Sequence, residues 1–533
     1  MGRITAASRC DLPSLRAAHG ELGLWQMVLV SLEMTCICCG LGFASLKFAI
    51  MTYATIAKRG LNVRRRFIRV VLLASVLALA LVPKKTLAIE ATSIVATVST
   101  SDGTDPSTML DGDYDTYVQL GAGSNLSVTA SAGQPIGSLY IRWYSIPGEW
   151  TLSYVDTTGV QKTMQCGQYG FLHEYVALET PATSCVLSFP VGGAICTFDV
   201  YSQGDVPAGV QAWAPPCEKA DVMVCATHAD DEILWLGGVL ATYAAGRQVP
   251  TQVVYMCNFW NSTPKREHEK LDGLWAIGVR NYPVNGPFDD LYSESLDAAQ
   301  EQYDQDAVTS FFTEQIRRFK PQVVVSQDLN GEYGHGGHQL MAHSVQTALD
   351  HASDPTFAAQ SAQAYGVWDV LKAYFHLMPE NSIMLDLHQP IENLGGMTAI
   401  EAQQAAYKQH VTQQYTWFYV TDDPSDQNYD KFDCSHFGLY RSTVGPDTTN
   451  DMLEHIVTYS EQAEQQAAQE AAAKAAAEQE RQAEQAQQDA QQSATDETIE
   501  MHESGLPVTL LIAIGVGVVL AIGIGALIIL ARH

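Results

Sequence analysis

The chain has 533 residues, of which 47% are hydrophobic, and a chain of this length can form two or three domains with substantial cores. Its 59 Asp and Glu residues outnumber its 30 Lys and Arg residues, and the formal net charge of −29 at pH 7 argues against nucleic acid as a partner, because no basic face offsets it. The basic residues that stand out precede residue 86, as expected of a targeting segment.

The N-terminal part of the chain predicts an export signal. Residues 1–50 lead into an apolar stretch that indicates either a first membrane helix or an extension upstream of a translation start near Met51. We favour the extension, because residues 51–88 have every part of a signal peptide: a basic region, an apolar core from Val70 to Val82 and a small-residue exit at 86–88. A run of arginines before that core also weakly resembles a twin-arginine export signal.

A region rich in Thr, Ser, Gly and Val over 92–205 is predicted to form an all-β sandwich. Alternating runs such as 139–144 and 185–189 indicate short strands separated by turn residues. The run from Met109 to Tyr117, MLDGDYDTY, resembles the early Asp-Gly turn of discoidin-like (F5/8 type C, galactose-binding-like) jelly rolls. That resemblance implies a glycan-binding module, commonly with a calcium ion near the acidic turn.

Individual residues of this region have two interpretations each. Asp111 and Asp113 are candidate Ca²⁺ ligands by the resemblance, although an Asp-Gly pair is more often simply a tight turn. Trp150 and Tyr117 are candidate sugar-stacking residues, with burial in the sandwich core as the alternative for each. The sequence leaves both questions open.

An α/β region is predicted over 218–445, after a short linker that contains Trp and Pro. Apolar runs of strand length alternate with segments of helix length, which indicates βαβ order and a mostly parallel, Rossmann-like sheet with helices on both faces. The predicted strands cover 222–226, 251–257 and 321–326, and the predicted helices cover 233–246, 265–277, 295–319 and 339–351.

Polar clusters follow two of these predicted strands. The sequence Thr-His-Ala-Asp-Asp-Glu occupies 227–232 directly after the first, and Gly-Glu-Tyr-Gly-His-Gly-Gly-His occupies 331–338 shortly after the third. Each cluster alone has an ordinary explanation, a capped helix start or a surface loop. Ligands of open α/β sheets bind at the carboxyl ends of the strands, so two such clusters together predict one site at that edge.

The pair of clusters resembles the fingerprint of the PIG-L/LmbE-like family of zinc-dependent sugar de-N-acetylases, which is (A/T)HPDDE after a strand and a distant G-x-Y-G-H-x-x-H. The resemblance implies a hydrolase that acts on a linear amide C–N bond of N-acetylated amino sugars. It also implies one Zn²⁺ per catalytic domain, held by His228, Asp231 and His338, with a fourth position open for water.

The adjacent carboxylates of the first cluster have a physical use. Neighbouring residues that leave a strand point in different directions, so Asp231 can hold the metal while Asp230 faces the water and removes its proton. His335, three residues before a predicted ligand, is expected to act protonated, as oxyanion donor and then as acid to the departing amine. By the resemblance Tyr333 assists the oxyanion, with a packing aromatic as the alternative.

Arg266 and Trp260 are the candidate substrate contacts. Arg266 matches a family arginine that contacts the sugar or its aglycone, and its alternative is a solvated charge at a helix start. Trp260 follows a strand end and could stack on a sugar ring, with core packing as its alternative. The chain also departs from the family pattern, because Ala229 replaces a proline and Gly336-Gly337 replaces Pro-Asp, which removes a carboxylate that would tune the preceding histidine.

The C-terminal part is predicted to be a stalk and a membrane anchor. Residues 459–500 are mostly Ala, Gln and Glu without an apolar stripe, which predicts a solvated single helix or a weak coiled coil. Residues 506–530 carry no charge and are long enough to span a bilayer. Both segments are candidate sites of weak self-association, and for the small residues of the membrane helix a lipid-facing role is the alternative.

These features predict an exported, multidomain protein anchored at the cell surface by one membrane helix, with an extracellular catalytic domain whose partner is a glycan or glycoconjugate of the N-acetylglucosamine type. One alternative is an amidohydrolase for another amide, such as a thiol-sugar conjugate or a lipid-linked glycan, which the loops at 258–266 and 279–295 would distinguish. Another is a glycan-binding adhesin with a vestigial enzyme domain. The complete set of His228, Asp230, Asp231 and His338 argues against a vestigial site.

Overall fold

The structure is a computed structural model that describes residues 89–503, apart from residues 132, 415, 416 and 430, and describes 496–503 by their backbone alone. The predicted extension over 1–50, the signal peptide over 51–88 and the membrane helix over 506–530 lie outside the described residues. Among the helices that are described, none has both the length and the apolar character needed to cross a bilayer.

Eight antiparallel strands form the predicted β-sandwich. They are β1 (Ala96–Thr100), β2 (Val118–Leu120), β3 (Ser124–Ala130), β4 (Ile136–Trp143), β5 (Trp150–Asp156), β6 (Gln161–Cys166), β7 (His173–Phe189) and β8 (Gly193–Tyr201). The long strand β7 changes partners along its length, because its first part pairs with β4 and its last part lies between β3 and β5. The buried side chains of these strands belong to an apolar core that continues into the α/β domain.

Both tryptophans of the sandwich lie in that core. Trp143 and Trp150 are each 1% exposed, and their indole N–H groups donate to a buried carboxylate oxygen of Glu174 at 3.1 and 2.9 Å. Trp150 is therefore a core residue, which settles its two interpretations in favour of burial. Tyr117 is exposed, and its ring stacks on that of Tyr144 with a centroid distance of 4.0 Å.

The acidic turn that follows a short 3₁₀ turn at Ser107–Leu110 is built from side-chain to backbone hydrogen bonds. The carboxylate of Asp111 accepts the N–H of Asp113 at 2.9 Å, and the carboxylate of Asp113 accepts the N–H of Asp115 at 3.0 Å. Such bonds are typical of tight Asx turns. The Ca²⁺ site at these residues stays a prediction.

Seven strands form the sheet of the α/β domain. They are β9 (Val222–Ala226), β10 (Thr251–Asn258), β11 (Val284–Asp289), β12 (Val323–Ser326), β13 (Lys372–His376), β14 (Ser382–Met384) and β15 (His436–Ser442). Their spatial order is β11-β10-β9-β12-β13-β15-β14, in which the first five are parallel and the last two add antiparallel. β9 and β12 are neighbours although far apart in sequence, so the topological switch point lies between them.

Strand β11 was missed by the sequence analysis. It contains Gly286-Pro287, which is atypical of a strand, but β11 is the edge strand of the sheet, where one side needs no partner and proline is tolerated. A side chain at Gly286 would place its Cβ 2.1 Å from the carbonyl oxygen of Met256 on the neighbouring strand. The edge position thus explains the proline, and the close approach of Met256 explains the glycine.

The helices follow the predicted order with two corrections. The helix predicted over 233–246 is broken into two short helices and a π-helical turn. The helix predicted over 295–319 is two helices. The second of these begins after Asp304, because the Asp304 carboxylate accepts the N–H groups of Asp306 and Ala307. The helices are α1 (Asp231–Leu234), α2 (Gly237–Val239) with the π turn Leu240–Gly246, α3 (Lys265–Ala276), α4 (Leu296–Gln302), α5 (Gln305–Phe319), α6 (Gly336–His351), α7 (Ala359–Tyr365), α8 (Ala399–Tyr407) and α9 (Tyr459–Glu503), with 3₁₀ turns at Glu332–Gly334, Glu392–Leu394 and Val411–Gln413.

Helix α9 is a single long helix of 45 residues. The side chains of α9 from 461 to 495 are exposed, as the composition of the predicted stalk requires.

The seven cysteines of the described residues are buried free thiols, among them Cys225. Burial raises the pKa of each one, so they are inert rather than reactive.

The sandwich packs on helix α3 through buried polar contacts. Nε2 of His173, on β7, lies 2.9 Å from Nδ1 of His268, on α3, and the ring of Tyr114 stacks on that of His268 with a centroid distance of 4.4 Å. The Tyr114 hydroxyl donates to the Asp272 carboxylate at 3.2 Å. His268 is 1% exposed, so its side chain is enclosed in this interface. The sandwich therefore holds the helix whose first turn carries Arg266.

Candidate active site

The predicted site residues meet at the carboxyl end of the sheet. His228 and Asp231 lie just after β9, and His335 and His338 lie at the start of α6, which follows β12. Because these two strands are neighbours at the switch point, their loops share one crevice. All four side chains are buried.

Three of these residues form a close triangle of ligand atoms. Nδ1 of His228 lies 3.1 Å from Oδ2 of Asp231 and 3.0 Å from Nε2 of His338, and that Nε2 lies 3.1 Å from the same Oδ2. The Asp231 carboxylate also accepts the backbone N–H of His228 at 2.8 Å. Burial alone would raise the pKa of Asp231, but His338 and His228 outweigh burial and hold that pKa well below its usual range.

This donor set fits a metal cation. A tetrahedral ion with ligand bonds of about 2.0–2.1 Å holds its ligand atoms about 3.3 Å apart, close to the separations in the triangle. Two imidazoles and one carboxylate around an open position are also the donor types that zinc takes in hydrolases. The histidines His228, His335 and His338 form an overlapping group whose ligand atoms lie within 4.8 Å of one another. The residues present can therefore hold a metal ion, and both groups include His228 and His338.

Asp290 supports His228 from the other side of the ring. Nε2 of His228 lies 3.4 Å from Oδ1 of Asp290, which leaves Nδ1 free to face the triangle. A carboxylate on the second nitrogen of a ligating histidine fixes the tautomer and orientation of the ring. Asp290 follows β11, so the sequence analysis missed it together with that strand.

Asp230 has a strained backbone beside the triangle. Its φ of 106° lies in the left-handed region that favours glycine, a conformation that costs of the order of 1–3 kcal/mol for other residues. Burial raises the pKa of its carboxyl, and the Arg266 guanidinium opposes that rise. The carboxylates of Asp230 and Asp231 have different partners, because that of Asp230 contacts Arg266 and that of Asp231 contacts the two histidines of the triangle.

Glu232 and His410 lie behind this strained residue. One carboxylate oxygen of Glu232 accepts the backbone N–H of Asp230 at 2.8 Å, and the other lies 3.4 Å from Nε2 of His410. Both side chains are completely buried. Glu232 therefore helps to hold Asp230 in its strained conformation, a role that the sequence motif alone did not reveal.

Arg266 lies inside the site rather than in solvent. Its Nη2 donates to Oδ1 of Asp230 at 3.2 Å and also to the carbonyl oxygen of Ala229, and its Nη1 lies 3.9 Å from Oδ2 of Asp290. The guanidinium stacks over the ring of Phe259, 4.0 Å from the ring centroid. The solvated-charge interpretation of Arg266 does not describe these contacts, and its role as a substrate contact stays a prediction.

His335 is held as the N-cap of helix α6. Its Nδ1 accepts the backbone N–H of Gly337 at 3.1 Å, so the proton of the neutral ring belongs on Nε2. Burial lowers the pKa of His335 to about 3, with His228 and His338 acting in the same direction. This arrangement favours a neutral ring that donates from Nε2. The role predicted from the sequence, a protonated His335 that acts as oxyanion donor and acid, stays a prediction.

Tyr333 lies at the mouth of the site. Its side chain is 51% exposed, its φ of 46° is left-handed, and its ring centroid lies 5.5 Å from that of His338 and 5.8 Å from that of His335. The rings of Trp235 and Phe418 contact its inner side at 5.7 and 5.3 Å. Tyr333 thus combines a packed inner side with an exposed outer side next to both histidines.

Trp260 is not placed among these residues. It is half-buried and packs against the hydrophobic core, which matches its alternative interpretation. Phe259, one residue earlier, is the aromatic of this loop that contacts the site, beneath Arg266. The role of Trp260 in substrate binding stays a prediction.

Gly336 and Gly337 lie where the Cβ of any other residue would come too close to neighbouring atoms. A Cβ at Gly336 would lie 2.0 Å from the carbonyl oxygen of Ser295, and a Cβ at Gly337 would lie 3.0 Å from Cε1 of His335. The loop after β11 therefore presses directly on the start of α6, where the family pattern has larger residues.

Curated relatives match about a third of the chain. The 1D-myo-inositol 2-acetamido-2-deoxy-alpha-D-glucopyranoside deacetylase 1 of Catenulispora acidiphila is 26% identical over 234 residues, which are 37% of this chain and 68% of that protein. The corresponding deacetylase 2 of Saccharopolyspora erythraea is 28% identical over 30% of this chain, and the deacetylase of Streptomyces scabiei is 23% identical over 34%. The matches cover 66% and 62% of those two relatives, so this chain spans about two thirds of the length of each.

Solved structures also resemble the chain over part of its length. The N,N'-diacetylchitobiose deacetylase of Pyrococcus horikoshii is 18% identical, with a TM-score of 0.29, over 37% of this chain and 72% of its own. The family 32 carbohydrate-binding module of Clostridium perfringens NanJ is 17% identical, with a TM-score of 0.18, over 21% of this chain and 99% of its own. At these scores the neighbours carry no argument for this chain. No family model matches it.

Proposed function

We propose that the α/β domain, which belongs to the PIG-L/LmbE-like family, is a metal-dependent amide hydrolase that removes the acetyl group from an N-acetylated amino sugar. The observation that carries the proposal is the triangle of His228, Asp231 and His338 with its 3.0–3.1 Å separations and with Asp230 beside it. The relatives are deacetylases named for a 2-acetamido-2-deoxy-glucopyranoside, which supports a substrate of the same chemical class.

In the proposed reaction, the triangle holds the metal ion and Asp230 transfers the protons. His228, Asp231 and His338 would hold a zinc ion, which would supply Lewis acidity and make a water easier to deprotonate. The Asp230 carboxylate accepts a proton from the water as its oxygen bonds to the acetyl carbon. When the C–N bond breaks, the same carboxyl returns that proton to the amine nitrogen, and the products are acetate and the free amino sugar. Proton transfer by one positioned carboxyl accounts for both halves of the reaction.

We assign His335 and Tyr333 to the stabilisation of the carbonyl oxygen. The Nε2–H of His335 is its free donor, because Nδ1 is engaged by the helix start. As the carbonyl oxygen becomes negative, this donor strengthens its hydrogen bond to it, which lowers the barrier. The Tyr333 hydroxyl, at the mouth, is a second candidate donor.

Arg266 and Asp290 are the polar groups that remain to orient the sugar. Their side chains face each other at 3.9 Å, next to Asp230 and His228 respectively. A guanidinium and a carboxylate together can donate to and accept from sugar hydroxyls, so we assign them to the ring that carries the acetamido group. We also propose a cell-surface location, for which the support is the sequence of 51–88 and 506–530.

The test uses the purified full-length chain, with its metal content measured. Acetate release is assayed on N-acetyl-D-glucosamine and on 1D-myo-inositol 2-acetamido-2-deoxy-alpha-D-glucopyranoside. Loss of a general base lowers the rate by about 10²- to 10⁴-fold, so Asp230→Asn should lose activity to this extent and keep the metal. His338→Ala should lose both, whereas His343→Ala, on the same helix but outside the site, should keep both.

Other outcomes separate the alternatives. Turnover that persists in Asp230→Asn would show that another residue is the base. Bound metal without turnover on either sugar would indicate an amidohydrolase for another amide. Absence of metal and turnover, with glycan binding retained, would favour the adhesin.

A further inference from the structure

We propose that Tyr292 is a substrate-binding residue whose ring packs against the sugar ring that carries the acetamido group. The inference rests on the proposed function, and it concerns the loop over 290–293 that follows the edge strand β11. No part of the sequence motifs points to this residue.

The loop is anchored by its backbone, so the position of Tyr292 is defined. The N–H of Leu291 donates to the Tyr303 hydroxyl at 2.8 Å, and the Gln302 side chain donates to the carbonyl oxygen of Tyr292 at 3.2 Å. The N–H of Gly336, at the start of α6, donates to the carbonyl oxygen of Ser293 at 2.9 Å. Helix α6, which also carries His338, therefore fixes this loop directly.

The side chain of Tyr292 is nevertheless exposed beside the site. It is 69% exposed, and its ring centroid lies 5.1 Å from that of His335 in an edge-to-face arrangement. A single exposed aromatic on a protein surface is ordinary, but this one contacts the proposed oxyanion donor. Tyr333, 51% exposed, contacts the same histidine, so two exposed tyrosine rings border His335.

The neighbours of Tyr292 indicate what it binds. Two residues earlier, Asp290 lies at His228 and faces Arg266, so the loop presents a carboxylate and an aromatic ring at the same mouth. A pyranose has hydroxyl groups around its edge and C–H groups on its faces. The charged pair suits the hydroxyl edge, and the ring of Tyr292 suits a C–H face.

The experiment separates binding from chemistry in the full-length, metal-loaded chain. Steady-state kinetics on N-acetyl-D-glucosamine compare the wild type with Tyr292→Ala, Tyr292→Phe and Tyr365→Ala, a control that removes an exposed tyrosine from helix α7. We expect Tyr292→Ala to raise KM about tenfold and to change kcat by less than about threefold, because it removes ground-state contact area rather than a reacting group. Tyr292→Phe keeps the ring and should restore KM to within about twofold of the wild type.

A binding measurement supports the kinetics. Calorimetric titration of N-acetyl-D-glucosamine into Asp230→Asn, which should bind without turnover, is compared with the same titration into the double variant that also carries Tyr292→Ala. We expect the dissociation constant of the double variant to be about tenfold higher. The melting temperatures of Tyr292→Ala and Tyr292→Phe should agree with that of the wild type, and that of the double variant with that of Asp230→Asn, since the Tyr292 side chain is exposed.

The outcomes are distinct. Unchanged KM and dissociation constant in Tyr292→Ala overturn the inference and leave the proposed function standing. Equal damage in Tyr292→Phe and Tyr292→Ala also overturns it, because the hydroxyl rather than the ring would then matter. Absence of acetate release by the wild type from every acetamido sugar overturns the proposed function and this inference with it.

Discussion

Asp230 combines strain, burial and charge at one position. Its left-handed backbone is held from behind by Glu232, and its carboxylate is held in front by Arg266. Backbone strain of this kind persists only where the surroundings determine it, and it concentrates at functional sites. The strained residue lies next to Asp231, whose carboxylate contacts the two histidines of the triangle instead.

Gly336, at the start of α6, lies in close contact with the loop after β11. Gly336→Ala would place its Cβ 2.0 Å from the Ser295 carbonyl oxygen, so the loop after β11 must move away from α6. We expect the free energy of unfolding to fall by about 1–3 kcal/mol, as for other overpacked sites. Chemical denaturation of the variant measures the change.

Gly121→Ala is the matched control for that substitution. A Cβ at Gly121 has open space around it and its backbone is not left-handed, so the variant should be as stable as the wild type. Equal stability of Gly336→Ala and Gly121→Ala would contradict the close packing of the loop on α6.

At the scale of elements, helix α3 connects the sandwich to the site. His268 and Asp272 lie on its sandwich side, and Arg266, in its first turn, reaches Asp230. The exposed ion pair of Lys265 with Asp115, at 2.7 Å, joins the same helix end to the acidic turn. A helix fixed at this interface gives Arg266 a rigid base.

The buried histidine contact should contribute most to this interface. His268→Ala leaves Nε2 of His173 without its partner and opens a cavity, and we expect it to lower the free energy of unfolding by about 3 kcal/mol. Asp115→Asn removes only an exposed ion pair and should cost less than about 1 kcal/mol. Denaturant titration at neutral pH compares the two, and equal effects would argue against a structural role for the histidine pair.

At the scale of the whole molecule, the same interface makes the fold sensitive to acid. Burial lowers the pKa of His268 to about 3 and that of His173 well below its usual range, so both rings stay neutral where the unfolded chain takes up protons near pH 6.5. Their contribution to stability is present above pH 6.5 and is lost as the pH falls toward 3. Burial raises the pKa of Asp272 to about 6 from 3.8, which adds stability as the pH falls through 6. As the pH falls, the unfolded chain takes up two additional protons on the histidines, whereas the folded protein takes up one additional proton on Asp272. Acid therefore lowers the net free energy of unfolding that these residues contribute.

His268→Gln tests this balance, because its amide can still donate to His173 but does not titrate in this range. We expect its free energy of unfolding to fall less steeply than that of the wild type between pH 6 and pH 4, by about 1.4 kcal/mol per pH unit for the one proton removed. Denaturant unfolding at several pH values measures both slopes. Parallel slopes would mean that His268 titrates normally in the folded protein.

The sequence by itself determined the order of the layers and the identity of the candidate metal ligands. Period-two alternation over 92–205 and apolar runs over 218–445 follow directly from which faces of strands are buried, so a sandwich followed by a parallel sheet was predictable. The clusters at 227–232 and 331–338 were predictable as one site, because strand ends of a parallel sheet share an edge. These features depend on local pattern, which a sequence displays.

Only the tertiary structure decided what surrounds that site. Asp290 and Tyr292 follow an edge strand concealed by Gly286-Pro287, and the burial of His268 depends on a contact between residues far apart in the chain. The choice between a neutral and a protonated His335 depends on a helix start to which its own side chain serves as the cap. Each of these is set by long-range packing, in which the partner cannot be inferred from the neighbouring sequence.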